Sequence, residues 1–316
     1  MKSESVFFSK SKTVFVDEID LRDPEPDEIQ AMTFINGICM FEVWQYNHML
    51  FKENTIPGHE GIGVVSKTGR NVKSVKEGDL ITGSGWKWSK YINLKEEDVV
   101  KITCNPDDID SYLVEPVSCA VNACSFIDFY PGDRVILFGA GYMGLLLAQV
   151  LKYHPISQLT VVDIKPANLE LAREIGGADE IINLADEQGE KRLQEFSREA
   201  FDISYECSGA VEPLEWCNNL TARGGSIGVF AWHHDTRNFN TTTWHAKGLR
   251  IINVAPAITV NEKKLRSYQG AERLMAAGKI QQQKLITHKY SLSEVEKAMQ
   301  ESSLREGNFI KSIIKF

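Results

Sequence analysis

Among the residues in the first 115 positions whose side chains can bind a metal are Cys39, His59, Glu60 and Glu115. A thiolate, an imidazole and carboxylates are the ligands that Zn²⁺ prefers in proteins. Alone, Cys39 would be typical of a buried packing cysteine, and His59 of a hydrogen-bonded polar residue. His59 and Glu60, however, stand in a Gly-His-Glu-Gly-Ile-Gly stretch at 58–63. The four residues together predict a zinc site.

A second stretch has the spacing of a phosphate-binding turn. It consists of Gly139, Ala140, Gly141, Tyr142, Met143 and Gly144. The three glycines permit a tight turn, a close approach of the backbone to a pyrophosphate, and close packing of a helix on a strand. Backbone N–H groups at the start of that helix would face the phosphates. We predict a dinucleotide site; a glycine turn in a domain that has lost its ligand is the alternative.

The type of dinucleotide is indicated by Asp163, which ends the next predicted strand 19 residues after Gly144. A carboxylate at that place can bind both ribose hydroxyls of the adenosine and would repel a 2′-phosphate. NAD is therefore the predicted cofactor. Lys165, two residues further on, leaves NADP as the alternative.

Two kinds of scaffold must position these residues. Up to about residue 115, short β-like runs alternate with turn signals, which predicts a small, largely antiparallel β domain. Its candidate strands are 13–16, 62–65, 79–82 and 98–102.

Beyond residue 131, strands alternate with helices, which predicts a doubly wound parallel sheet and an α/β fold. The predicted strands are 134–138, 159–163, 180–183, 201–206 and 225–230. Helices are predicted after residue 142 and at 167–175 and 213–220, and the last 60 or so residues add helices at 264–277 and 293–302 and a strand at 309–314.

Composition excludes several classes of protein. The chain has 316 residues, enough for two domains, and a net charge of −8, which argues against nucleic acid or an anionic membrane as a partner. No apolar run approaches the roughly 20 residues that span a bilayer. The start of the chain has no signal-peptide pattern, and the six cysteines include no CxxC pair. We expect free thiols and a cytoplasmic location.

The combined motifs resemble those of a known family. Gly58-His59-Glu60-x-x-Gly63, followed by Gly69-x-x-Val72 and Gly78-Asp79, is similar to the zinc signature of the medium-chain dehydrogenases/reductases. Glu115-Pro116 followed by Cys119 and Cys124 resembles the sorbitol and threonine dehydrogenase branch. Further similar segments are 35–39, 206–209 and 286–290, so that the resemblance runs from about residue 28 to the C-terminus.

The resemblance implies a GroES-like zinc domain (1–116 with 254–316) and a Rossmann NAD domain (117–253), with the chemistry in the cleft between them. It implies one catalytic zinc held by Cys39 and His59, with Glu60 a direct or an adjacent exchangeable ligand. Glu115 stands where alcohol dehydrogenases have a cysteine ligand. The segment under the nicotinamide would contain Cys207 and Ser208.

Two departures from the family pattern matter. Between Asp79 and Tyr91 there is no cysteine, so we expect the structural zinc lobe of the family to be missing. Two residues after Cys39 the family has a Ser or Thr that relays the alcohol proton, and this chain has Phe41. The candidates for that role are Glu115, through a zinc-bound water, and His48, through solvent. Alternatively, the oxidised group is not a simple alcohol.

The substrate is indicated only weakly. Four tryptophans, which can stack on sugar rings or simply pack, fall in segments expected near the site: Trp44, Trp86, Trp88 and Trp232. The run His233-His234-Asp235 follows a predicted strand at the edge where ligands bind, and a solvated loop is its simpler interpretation. We prefer a polyol, sugar or cyclitol hydroxyl.

The sequence thus predicts a zinc- and NAD-dependent alcohol or polyol dehydrogenase acting on a small molecule. By analogy with relatives, we expect a homodimer or homotetramer paired through an edge strand near 249–254. The alternatives are a zinc-free quinone or enoyl reductase of the same superfamily and a non-catalytic NAD-binding protein.

Overall fold

The chain divides into two compact units. The structure, a computed structural model, describes residues 1–104, 106–196, 200–234, 236, 238, 240–255 and 261–316, without the side chains of 106, 107 and 261–264. Unit 1 comprises Met1–Ser118 and Asn261–Phe316, and unit 2 comprises Cys119–Val260.

Unit 1 is built mainly of strands. They are β1 (Lys2–Ser9), β2 (Thr13–Asp20), β3 (Glu28–Ile38), β4 (Gly61–Thr68), β5 (Leu80–Gly83), β6 (Tyr91–Lys95), β7 (Val99–Lys101), β14 (Ile286–Ser291) and β15 (Lys311–Lys315). β1 and β2 form an antiparallel hairpin. The others form one sheet in the order β14-β15-β3-β4-β5-β7, with β6 paired to β3. Its pairs are antiparallel except β14 with β15, which confirms the predicted β-rich domain.

The helices of unit 1 are α1 (Met40–His48), α8 (Asn261–Ala276) and α9 (Val295–Leu304), and α2 (Val114–Ser125) contains the boundary between the units. α1 was not predicted, since Glu42 and Val43 are its buried residues and two positions give no helical periodicity. Its start is nevertheless well defined. The Cys39 side chain accepts a bond from the Phe41 N–H and the Glu42 side chain accepts one from the Cys39 N–H, a capping box with a thiol in place of a hydroxyl.

Two tryptophans of unit 1 explain the glycines of the 58–63 stretch. Trp86 and Trp88 are completely buried. A Cβ on Gly61 would lie 2.0 Å from the Trp86 ring, and one on Gly58 would lie 2.4 Å from the Trp88 ring. The glycines therefore allow two indole rings to pack against the chain on either side of His59 and Glu60. Both rings are core residues and cannot stack on a substrate.

Unit 2 is a six-stranded parallel sheet flanked by helices. Its strands are β8 (Asp133–Phe138), β9 (Ile156–Asp163), β10 (Glu180–Asn183), β11 (Phe201–Glu206), β12 (Thr221–Val229) and β13 (Arg250–Asn253). Its helices are α3 (Tyr142–Leu151), α4 (Pro166–Glu174), α5 (Glu187–Glu195), α6 (Val211–Leu220) and α7 (Thr241–Lys247). The order β10-β9-β8-β11-β12-β13 is the 3-2-1-4-5-6 order of a Rossmann fold, which confirms the predicted α/β class.

The parallel arrangement agrees with the sequence of the central strand. Val135, Ile136, Leu137 and Phe138 of β8 are all buried, as expected for a strand covered on both faces. α5 was not predicted, since its sequence is strongly polar and Gly189 and Leu193 are its buried residues. No helix in the described part of the chain is long and apolar enough to cross a bilayer.

Candidate active site

The predicted metal ligands come from neighbouring elements of unit 1. Cys39 follows β3 and begins α1, His59 and Glu60 directly precede β4, and Glu115 lies in the first turn of α2. β3 and β4 are antiparallel, with Asn36 opposite Gly61, so the end of one meets the start of the other. The Asn36 side chain accepts a hydrogen bond of 3.1 Å from the Glu60 N–H, which fixes the chain at the ligand segment.

The ligand atoms form two overlapping groups among the described residues. One consists of Cys39, Glu42 and His59, the other of His59, Glu60 and Glu115, and within each group the atoms lie within 4.8 Å of one another. All four predicted ligands therefore belong to one group or the other, and His59 belongs to both. A tetrahedral Zn²⁺ with bonds of about 2.0–2.3 Å separates its ligand atoms by roughly 3.5 Å. The side chains are thus close to the spacing that the ion requires.

Glu42, a residue with no predicted role, orients this group. One of its oxygens lies 2.5 Å from His59 Nδ1, and the other accepts from the Cys39 N–H at 3.1 Å. Metal-binding histidines commonly have the second ring nitrogen bonded to a carboxylate in this way. Because both Glu42 oxygens have protein donors, we assign Glu42 to positioning, with His59 Nε2 left for a metal. The Cys-x-x-Glu spacing of a capping box was the available signal.

The protonation of the two ligands reflects their surroundings. Burial alone would lower the pKa of His59, but the Glu42 carboxylate and the Cys39 side chain outweigh it and raise that pKa well above its ordinary value. Burial raises the pKa of the Cys39 thiol, and His59 offsets part of this effect. A bound cation would reverse both tendencies, since a coordinating thiol is deprotonated and a coordinating imidazole is neutral.

A buried ion pair lies beside the ligands. Lys311 Nζ, on β15, donates to Glu60 Oε1 at 2.8 Å and lies 2.6 Å from Oε2, and both side chains are almost completely buried. Burial by itself would lower the pKa of Lys311, but Glu60 outweighs it and keeps that pKa above its ordinary value. The ammonium offsets one negative charge in a group rich in carboxylates. Lys311 stands 251 residues from Glu60 in sequence, so spacing gave no signal for it.

Gly37 makes room for this pair. A Cβ at Gly37 would lie 1.8 Å from Glu60 Oε2, far inside van der Waals contact. The glycine in β3 is therefore required by the carboxylate that packs against it.

Phe41 stands where the family has its proton-relay hydroxyl, and His48 and Glu115 are the candidates to replace it. The ring of Phe41 contacts that of His59 edge-on, with centroids 6.2 Å apart, and has no hydroxyl to offer. His48 is an exposed residue at the end of α1, where Nδ1 bonds to the Trp44 carbonyl oxygen at 2.9 Å. Among the described residues, His48 is in neither of the two ligand groups. Glu115 is a member of the second group, with His59 and Glu60.

In unit 2 the predicted glycine turn has the geometry of a phosphate loop. Gly139 has φ +99° and packs so closely on the 207–208 backbone that a Cβ would lie 2.7 Å from Ser208 N. A Cβ on Gly144 would lie 1.8 Å from the Gly139 carbonyl oxygen. α3 begins at Tyr142, and its N-cap residue, Gly141, has no side chain to cap it. The start of a helix is a place where backbone N–H groups can bind an anion. Tyr142 and Met143, the other predicted contacts, form the first turn of α3.

Asp163 is bonded to this turn. Its Oδ2 accepts from the Ala140 N–H at 2.6 Å and its Oδ1 from the Lys165 N–H at 2.8 Å. A carboxylate has about four acceptor positions, so ribose hydroxyls can still bind.

The segment after β11 is organised around Glu206, a fully buried residue with no predicted individual role. Ser208 donates to Glu206 Oε1 from both its backbone N–H and its hydroxyl. His233 Nε2 lies 2.8 Å from Oε2 and the His233 side chain is 12% exposed, so the solvated-loop interpretation is wrong for this residue. Burial and the neighbouring Glu206 raise the pKa of the Cys207 thiol well above its ordinary value. Asp235 lies outside the described residues.

Comparison with known proteins finds a family match in each of the two units. The alcohol dehydrogenase GroES-like domain matches residues 25–104, and the zinc-binding dehydrogenase family matches residues 143–264. D-arabinitol dehydrogenase 1 of Uromyces fabae is 25% identical over 96% of this chain and 94% of its own length. D-xylulose reductase of Saccharomyces cerevisiae is 25% identical over 92% of this chain and 91% of its own. The structure of L-idonate 5-dehydrogenase from Escherichia coli has a TM-score of 0.85 and 20% identity, covering 100% and 99% of the two chains.

The chain belongs to the zinc-dependent medium-chain dehydrogenases/reductases, as the sequence predicted. It is accordingly an oxidoreductase that acts on the CH–OH group of a small molecule with Zn²⁺ and a nicotinamide dinucleotide. The donor set of unit 1 fits zinc, since thiol, imidazole and carboxylate atoms converge there. The uncapped helix start and close-packed glycines of unit 2 fit the dinucleotide.

Proposed function

We propose that the protein oxidises a secondary hydroxyl of a polyol, sugar or cyclitol with NAD, using one Zn²⁺ bound by Cys39 and His59. Glu60 or Glu115 would be a further direct or exchangeable ligand, which leaves one position of the ion open for the substrate oxygen. The convergence of these ligand atoms in two groups that share His59 is the observation that carries the proposal. D-arabinitol dehydrogenase and D-xylulose reductase, which align over nearly the whole chain, support the polyol class. Asp163, held at the glycine turn, supports NAD over NADP.

The chemistry is divided between the bound groups and the side chains. When bound, Zn²⁺ supplies a Lewis acid for the substrate oxygen, and NAD supplies the hydride acceptor. Glu42 holds the His59 ring in one orientation and one tautomer. Lys311 keeps Glu60 neutralised at the edge of the site.

The proton of the substrate hydroxyl needs an acceptor other than residue 41, since Phe41 has none. We propose that Glu115 takes this proton, directly or through a water, because its carboxylate belongs to the ligand group while His48 belongs to neither group. If Glu115 binds the metal throughout, His48 remains the second candidate.

A homo-oligomer that pairs through β13 is part of the proposal. β13 is the last strand in the order of the unit 2 sheet, and an edge strand can pair with another chain. A cytoplasmic location is also proposed, and six free cysteines support it.

The direct test is NADH formation with a panel of polyols, sugars, cyclitols and simple alcohols, using zinc-loaded protein. We expect turnover with one of the polyol, sugar or cyclitol classes, at least about tenfold better in kcat/KM with NAD than with NADP. Asp163→Asn keeps an acceptor for Ala140 but removes the charge, and should reduce that preference by about tenfold, or roughly 1.4 kcal/mol.

Other outcomes of this test support the alternatives. NADH binding without oxidation of any alcohol would support a non-catalytic NAD-binding protein. Reduction of quinones or enoyl substrates by zinc-free protein would support the reductase alternative.

A further inference from the structure

We propose that His233, held by Glu206, accepts a hydrogen bond from the nicotinamide nucleoside half of the dinucleotide. The donor would be a ribose hydroxyl or the carboxamide NH₂ group, which offer the same chemistry to an imidazole nitrogen. The inference rests on the proposed NAD-dependent function, and adds to it a residue that binds and positions the cofactor.

The first observation is that His233 is held in a built site. Glu206 Oε1 accepts three hydrogen bonds, from Ser208 N at 2.7 Å, Ser208 Oγ at 2.5 Å and Gly209 N at 2.9 Å. The other oxygen, Oε2, bonds to His233 Nε2 at 2.8 Å. A completely buried carboxylate therefore fixes the imidazole at one of its two nitrogens.

The second observation is the state of the other nitrogen. His233 Nδ1 is buried and has no hydrogen-bond partner among the residues that the structure describes. Because the carboxylate accepts at Nε2, the proton of the neutral ring is assigned to Nε2, which leaves Nδ1 as an acceptor. A buried acceptor without a donor is unfavourable, so the arrangement is suited to a ligand that brings an O–H or N–H group.

The third observation is the place of this pair in the sheet. Glu206 ends β11, and its carbonyl oxygen accepts from the N–H groups of Phe230 and Ala231, which follow β12. Cys207 N donates to the Phe138 carbonyl oxygen at the end of β8. His233 therefore stands at the carboxyl ends of the central strands, where Rossmann folds bind their ligands.

The strand order indicates which half of the cofactor this is. Asp163, the proposed adenosine-ribose residue, ends β9 on one side of β8, whereas Glu206 ends β11 on the other side. The glycine turn, which follows β8, lies between them and packs on Ser208. With the pyrophosphate at that turn, the half on the β11 side is the nicotinamide nucleoside.

The test measures ligand binding by His233→Gln and by the control His234→Gln. The amide nitrogen of glutamine can replace Nε2 and still donate to Glu206, while the Nδ1 acceptor is lost. His234 is the adjacent, exposed histidine. The probes are NADH, ADP-ribose, which lacks the nicotinamide, and ADP, which lacks both the nicotinamide and its ribose. Dissociation constants are measured by calorimetry or fluorescence quenching.

We expect His233→Gln to weaken NADH binding about two- to tenfold and to leave ADP binding unchanged, with His234→Gln like the wild type. An equal loss with ADP-ribose assigns the bond to a ribose hydroxyl. A loss with NADH alone assigns it to the carboxamide.

Unchanged NADH affinity in a folded His233→Gln variant would overturn the inference while leaving the proposed function intact. Wild-type protein that binds none of the three probes would overturn both. A second measurement on the wild type covers the case in which the variant does not fold. In ¹⁵N-histidine NMR spectra, the Nδ1 resonance of His233 should shift when NADH binds, and an unchanged Nδ1 resonance in the saturated complex would again overturn the inference.

Discussion

At the scale of single residues, the candidate metal site depends on side chains that need not touch the metal. Glu42 bonds to His59 and to the start of α1, and Lys311 pairs with Glu60 inside the core. Each of these partners restricts a ligand to one orientation before any ion arrives. The affinity for zinc should therefore respond to both of them.

The Glu42 carboxylate gives the sharpest prediction of this kind. Glu42→Gln keeps the size of the side chain but removes the charge that faces His59, so zinc affinity should fall about 10–100-fold. Competition with a chromophoric chelator measures this. Glu53→Gln, an exposed glutamate whose oxygens bond to Ser9 and Lys10, is the control and should bind zinc like the wild type. Equal affinities in the two variants would mean that Glu42 does not orient a ligand.

Gly37 gives a steric prediction. A methyl group at residue 37 would overlap Glu60 Oε2, so Gly37→Ala should destabilise unit 1 by about 1–3 kcal/mol and weaken zinc retention. In a Glu60→Ala background the carboxylate is gone and only the Cβ of residue 60, 3.1 Å from the added methyl group, remains close, so the same substitution should cost less. Urea unfolding of the four variants of this double-mutant cycle measures the coupling. Additive effects would show that the two residues do not interact.

At the scale of elements, the site lies where short turns join strands of the unit 1 sheet. Asp79, which directly precedes β5, fixes one such turn. It accepts from the Lys76 N–H at 3.0 Å and from Lys101 Nζ, on the neighbouring β7, at 2.7 Å. The bond from Lys101, followed by that from the Lys76 backbone, holds the pKa of Asp79 below its ordinary value.

The lowered pKa of Asp79 predicts that its contribution to the free energy of unfolding depends on pH. A carboxyl with a lowered pKa in the folded state contributes stability above its unfolded pKa of 3.8, and the contribution is lost as pH falls through the folded pKa. Asp79→Asn should therefore cost about 1 kcal/mol at pH 7, a modest figure because Lys101 is half exposed. The cost should shrink as the pH falls below 3.8. Urea unfolding followed by tryptophan fluorescence is the measurement, with the exposed Asp17→Asn as control. A cost independent of pH would contradict the assignment.

The elements also indicate which parts of the fold the sequence could predict. The central parallel strand of unit 2 is predictable because residues 135–138 are all apolar, and the glycine turn because its spacing is imposed by close backbone contacts. α1 was missed because its short helix buries few residues, although Cys39 and Glu42 carry a capping signal. Indole rings such as those of Trp86 and Trp88 could stack on a sugar, but these two are buried and pack on the glycines of the 58–63 stretch.

For the candidate site, the sequence predicts the metal-binding residues but not the residues that hold them in place. Cys39, His59, Glu60 and Glu115 are of the types that bind zinc, and the resemblance of the surrounding motifs to the family predicts their role as a set. Lys311 and His233 could not be assigned, since a lysine or a histidine has no fixed role until folding brings a carboxylate to it. Glu206 was hidden for the same reason, as a buried carboxylate is recognised only by its partners.

At the scale of the whole molecule, the proposed function assigns metal binding to one unit and dinucleotide binding to the other. Unit 1 contains the converging metal ligands and unit 2 contains the glycine turn with Asp163, Glu206 and His233. The stretch between β5 and β6, residues 84–90, contains no cysteine. We therefore expect a single zinc per chain.

The zinc content of the purified protein tests this account most directly. Protein prepared without chelators and analysed by mass spectrometry for metals should contain about one zinc per chain. Cys39→Ala should lose most of it, while Cys104→Ala, which changes a cysteine outside both ligand groups, should keep it. Less than about a tenth of an equivalent in the wild type, or equal zinc in the two variants, would contradict the assignment of a catalytic zinc to this site.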